Sequence, residues 1–220
     1  MAVPTHVIIR RRNDALIRAW VKDPLIQVLA DRVDALPGLV FLDTHGAGAS
    51  VDRLGRRSLK NVAVVKRPGP PDANASVWVR APYASYRGAY TAFLAATYDT
   101  ELDGVDLSGY DVDHLLNRAR SPQSSVFIRV EAVRSEVNQA WGRLFEKVAS
   151  DKVFWANQHR TRRTMSYPIV AKLGGQMPPT GPRDMAGLHR LALFFRNHGL
   201  DPGESAQGIK TMLDFAYRVR

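Results

Sequence analysis

Asp111-Val112-Asp113-His114 is followed twenty-four positions later by Asn138, and eight positions after that by Glu146. These residue types are the kit for metal-assisted attack of water on a phosphodiester. A base must take a proton from water, and a cation must neutralise charge building on the phosphorane and the leaving oxygen. Imidazole suits the first task because its unperturbed pKa lies near neutral pH. Hard oxygens such as the Asp113 carboxylate and the Asn138 side-chain carbonyl suit Mg²⁺, or Mn²⁺ in its place. Mg²⁺ keeps several waters and accepts only a few protein ligands.

The elements around these residues have to position them. In a strand, Asp111 and Asp113 share one face and His114 takes the other. Twist or a bulge at the strand end must therefore let Asp113 and His114 converge on one phosphate. On a following helix spanning Val137 to Ala149, Asn138 and Glu146 lie close to two full turns apart and point the same way. Each residue also has a plainer reading: Asp113-His114 as a surface pair or His114 as a satisfied core histidine, Asn138 as a helix N-cap, Glu146 beside Lys147 as a solvated helix face.

Asp113-His114, Arg129-Val130-Glu131 and Asn138 together resemble the His-Me finger (ββα-metal) nucleases, the superfamily of HNH and DRGH-type enzymes. The resemblance covers roughly residues 109 to 150. It implies that His114 is the general base, that Asp113 and Asn138 hold the divalent metal, and that Glu146 orients the metal's waters. Two departures stand out: Asp113 replaces the Gly of the DRGH pattern, and no second His follows Asn138 at helix spacing. Small enzymes of this superfamily often serve as antibacterial toxins delivered into rival cells, which would imply an acidic immunity protein as a partner.

Composition sets the outer bounds. The chain has 220 residues, 45% of them hydrophobic, enough for one large core or two small ones. Its net charge of +10 points to a polyanionic partner, nucleic acid first among them and DNA ahead of RNA. Between Arg118 and Lys172 there are eleven Lys or Arg against four Asp or Glu, so the excess sits beside the proposed site. Arg118, Arg120, Arg143, Arg160, Arg162 and Arg163 are the candidate phosphate contacts. Near the last three, Phe154 and Trp155 offer stacking surfaces, although a helix with a solvated basic face explains the same residues. The chain has no cysteine, which excludes disulfides, thiolate metal sites and a cysteine nucleophile. No apolar run reaches the length of a membrane span, and Met1 to Arg12 lacks the pattern of a secretory signal. The expectation is a cytoplasmic protein as synthesised, exportable by a dedicated secretion system.

Along the chain, Val7-Ile8-Ile9 reads as a short strand and Asp14 to Leu36 as two helices broken at Pro24. Gly38 to Asp43 reads as a buried strand, with Asp43-Thr44-His45-Gly46 as the turn after it. Asp43 and His45 form a second, weaker metal candidate. Asn61 to Lys66 and Ser76 to Arg80 read as strands, Tyr83 to Tyr98 as a helix. Asp184 to Asn197 and Glu204 to Arg218 read as amphipathic helices. The expected fold is α+β, with a ββα-metal element (107–172) between an N-terminal α/β region (1–106) and a C-terminal helical cap (173–220), or all three in one compact domain. The expected activity is metal-dependent cleavage of DNA with little sequence preference. The competing classes are a non-catalytic nucleic-acid-binding protein and a structural or adaptor protein of a secretion or phage system.

Overall fold

The computed structural model describes residues 3–117, 125–146, 163–181 and 183–218. The β-branched runs become the centre of a single six-stranded sheet in which every pairing is antiparallel: β1 (Leu29–Ala30), β2 (Ser50–Asp52), β3 (Val62–Lys66), β4 (Ala75–Arg80), β5 (Tyr110–His114) and β6 (Phe127–Arg134). The longest strand, β6, is central. Its one edge takes β4, and its other edge takes β1 and β5 in succession, with Phe127 and Ile128 opposite β1 and residues Val130 to Arg134 opposite β5. Strands from 1–106 and from 107–172 thus share one ladder, so the expected boundary at residue 106 falls within a sheet.

Both faces of β3 and β4 are covered, which is why these strands read as unbroken apolar runs rather than alternating ones. Val62, Val64, Val77 and Val79 pack with Tyr90, Phe93 and Leu94 of helix α4 (Tyr86–Thr97). Ala63, Val65 and Trp78 pack with Leu36 and Phe41 on the opposite side. A third cluster joins Leu16, Ile17 and Trp20 of α1 (Thr5–Lys22) to Val137 and Trp141 of α5 (Ser135–Trp141). It continues through three further helices, α6 (Tyr167–Leu173), α7 (Met185–Asn197) and α8 (Pro202–Arg218). Helices make up 48% of the structure beside the antiparallel sheet, the α+β class expected. Among the described residues no helix is long and apolar enough to cross a membrane.

Three local readings change. Val7-Ile8-Ile9 opens α1 instead of forming a strand, because Ile8, Ile9, Arg12, Asn13, Leu16, Ile17 and Trp20 continue one buried helical stripe that a three-residue window cannot show. Gly38 to Asp43 is no strand either: Pro37 sits in the first turn of a short helix, α2 (Leu36–Val40), and a 3₁₀ turn follows over Leu42–Thr44. The first helix does stop before Pro24, but β1 and a 3₁₀ turn at Val33–Ala35 take the place of the second. A single helical turn, α3 (Pro71–Asn74), leads into β4, and the helices around Tyr90, Leu191 and Ile209 and the strands at 62–66 and 75–80 lie where their periodicity puts them.

Candidate functional site

β5 pairs with β6 in unbroken register, from Tyr110 opposite Arg134 to His114 opposite Val130, so the alternation of its side chains persists to the strand end. Val112 and His114 face α4. Val112 joins the core there, and the His114 ring lies 4.4 Å from that of Tyr86, tilted by 57°. Asp111 and Asp113 face α5 and α6. No bulge brings Asp113 and His114 to one side. A phosphate reached by both must lie past the end of β5.

The side that carries the two aspartates holds a continuous polar network. Ser135 Oγ donates to Asp111 Oδ1 at 2.8 Å, and Asn138 Nδ2 donates to Asp111 Oδ2 at 3.2 Å. Lys172 Nζ donates to Asn138 Oδ1 at 3.3 Å and forms a close ion pair with Asp113 Oδ2. The amide of Asn138 is oriented by its neighbours, since its NH₂ can only serve the carboxylate and its carbonyl the ammonium. Asn138 is not a helix N-cap: α5 begins at Ser135 and Asn138 sits in its first turn. Lys172, on α6, is 3% exposed.

Lys172 and Ser135 are the members of this cluster that sequence reasoning missed; Asp111 was placed on the Asp113 face but given no role. For Lys172 a signal existed: a single lysine inside the apolar run Ile169-Val170-Ala171-Lys172-Leu173 needs a partner if that run is buried. The partner itself is 59 residues away and not legible locally.

Of the remaining candidates, Glu146 falls in a π-helical turn (Gly142–Glu146) that follows α5. The Glu146 side chain, together with Arg118, Arg120, Arg160 and Arg162, lies outside the described residues. Arg143 is exposed on the π turn. Arg163 grips both oxygens of Asp31, at 2.6 and 2.9 Å, and that pair holds the Asp31 carboxyl below its usual range. A phosphate contact by Arg163 has to compete with Asp31. Glu131, at the edge of the motif, is buried and engaged by Arg12 (3.0 Å), Arg129 (2.8 Å) and the Tyr90 hydroxyl (3.2 Å).

The second candidate, Asp43 with His45, is a turn. Arg67 bonds both Asp43 oxygens at 2.9 and 3.1 Å and also stacks on Phe41 with its guanidinium carbon 4.3 Å from the ring centre. His45 is exposed in the left-handed region, with φ of 49°. Gly46 has φ of +82°, and a Cβ there would meet backbone atoms of Pro37 and Gly38 at 2.7 Å. We expect Gly46→Ala to lower stability by about 1 to 3 kcal/mol, read by urea denaturation, while His45→Ala leaves any catalytic activity unchanged.

No family model, curated protein or solved structure matches this chain. The site is therefore judged on its own groups. Among the described residues no three His, Cys, Asp or Glu side chains gather closely enough to hold an ion by themselves. Mg²⁺ does not require that, because one or two carboxylates and water complete its shell. Asp113 and Asn138 already turn their oxygens toward one point of positive charge, the Lys172 ammonium. One carboxylate oxygen and one amide oxygen are donors of the kind a hard divalent cation accepts, and the Lys172 ammonium stands where they meet.

Proposed function

We propose that the chain is a metal-dependent endonuclease that hydrolyses phosphodiester bonds of DNA with little sequence preference. The observation that carries this reading is that the Asp113 carboxylate, on the strand that also bears His114, and the Asn138 carbonyl of α5 converge on one cation position. A net charge of +10, concentrated between residues 118 and 172, supports a polyanionic substrate. Asp113 and Asn138 would hold the ion, which when bound neutralises charge on the reacting phosphate. Asp111 fixes the Asn138 amide so that its carbonyl stays turned inward, and Ser135 fixes Asp111 in turn. His114, at the last position of β5, takes the proton from the attacking water.

The order β5, β6, α5 is that of a ββα element, and α6 adds Lys172 from outside it. Phosphate contacts carry no sequence information, so cleavage directed mainly by them is nearly indiscriminate.

Plasmid incubated with the purified chain in Mg²⁺ or Mn²⁺ should be nicked, and EDTA should abolish nicking. Cleavage should also weaken as salt rises, since phosphate contacts release counterions. Full activity in excess chelator removes the metal-assisted reading. Binding without cleavage under any divalent ion leaves a basic nucleic-acid-binding protein.

A further inference from the structure

We propose that Lys172 is a built-in counter-ion that holds the Asp113 and Asn138 oxygens in place while no metal is bound, and that a divalent ion has to displace its ammonium to enter. The inference rests on the nuclease reading above, because it takes Asp113 and Asn138 as the cation-binding pair.

Lysine is almost never fully buried unless paired. Lys172 is 3% exposed, and the Asp113 side chain beside it is 15% exposed. Two half-buried acceptors from different elements, β5 and α5, meet on its ammonium. The Asp113 carboxylate shares one face of β5 with Asp111, so a cation bound to it offsets like charge on that face. Ser135 and Asn138 offer Asp111 only neutral donors. The lysine thus supplies charge where a metal-free site most needs it.

The element that delivers Lys172 is firmly held. Pro168 stands in the first turn of α6, and Ile169, Val170 and Leu173 sit in the core. Asn13 Nδ2 reaches from α1 to the Leu173 carbonyl at 3.3 Å and to the Ala132 carbonyl of β6 at 3.0 Å, tying α6 to the sheet. The helix has no need to move for the site to change occupant, because the ammonium rides on a flexible four-carbon stem. Two cations cannot use the same two oxygens at bonding distance, so ammonium and metal exclude one another. Metal affinity is accordingly set below what Asp113 and Asn138 would give alone.

The test is calorimetric titration of Mn²⁺ into the metal-free full chain at fixed pH, without DNA, for the parent, Lys172→Met and Asp113→Asn. Lys172→Met should bind one Mn²⁺ at least about tenfold more tightly than the parent, since it loses the competing charge. The same concentration of Mn²⁺ should raise its Tm by more than the parent's. Asp113→Asn should bind little or none. Equal affinity of Lys172→Met and the parent, with binding lost in Asp113→Asn, overturns the counter-ion role and leaves the nuclease reading standing. Undiminished binding by Asp113→Asn instead overturns the cation site itself. Should Lys172→Met not fold, Lys172→Gln keeps a hydrogen-bond donor without the charge, and its affinity decides in the same way.

Discussion

His114→Ala is expected to slow plasmid cleavage by roughly 10²- to 10⁴-fold, the usual loss for a general base, while leaving DNA affinity nearly unchanged. His114 is 7% exposed, its ring tilted against that of Tyr86, so its removal takes little from the surface that meets DNA. The measurement is paired: a cleavage rate at saturating DNA and a binding isotherm, on protein shown to be folded by circular dichroism. The unbroken β5 register gives the experiment a second edge. His114 and Asp113 leave the strand on opposite faces, so a base that works with Asp113 must act from the strand end. If His114→Ala cleaves like the parent, proton abstraction belongs to the other face, where Asp111 is the next group to replace.

Glu131→Gln is expected to have the largest effect on stability, about 3 to 5 kcal/mol, because it leaves two guanidinium groups buried without their counter-charge. Arg12 is 1% exposed, Arg129 7% and Glu131 1%. Burial pushes the Glu131 carboxyl up, but Arg12 and Arg129 outweigh it and hold it below the ordinary value of 4.5. A carboxyl that binds its proton more weakly in the folded chain than in the unfolded one stabilises the fold above that ordinary value. Its contribution fades as pH falls through the lower folded value. The gap between parent and variant in urea denaturation should therefore be full at neutral pH and close progressively below about pH 4.5. Replacing all three residues by apolar side chains of similar volume should recover most of the loss, since a buried ion triad is weak evidence of net stabilisation. Failure of that triple variant to recover would mean that the geometry of the triad, including the Arg12 bond to the Ala75 carbonyl at 3.2 Å, is needed to close the sheet around α1.

The runs Val62 to Lys66 and Ala75 to Arg80 were legible as strands because β-branched residues cluster there between turn residues, and the helix around Tyr90 because its aromatic residues recur at helical spacing. These signals are local, and packing only reinforced them. The opening apolar residues Val7 to Ile9 were misread because a run of three is compatible with either period until the stripe through Trp20 is included. The segment after Leu36 departs from the expected strand because four apolar residues and a proline say little about which side of the chain will be covered.

Strand alternation alone separated Asp113 from His114, and the sequence by itself determined that Asp111 and Asp113 would share a face. It also determined an excess of positive charge next to that strand. The tertiary structure decided what the aspartates meet. Lys172 reaches Asp113 across 59 residues and Arg12 reaches Glu131 across 119, contacts created only when α6 and α1 dock on the sheet. Such partners leave no periodic trace, because a buried charge is matched by whichever element happens to pack against it, and proximity along the chain does not choose that element.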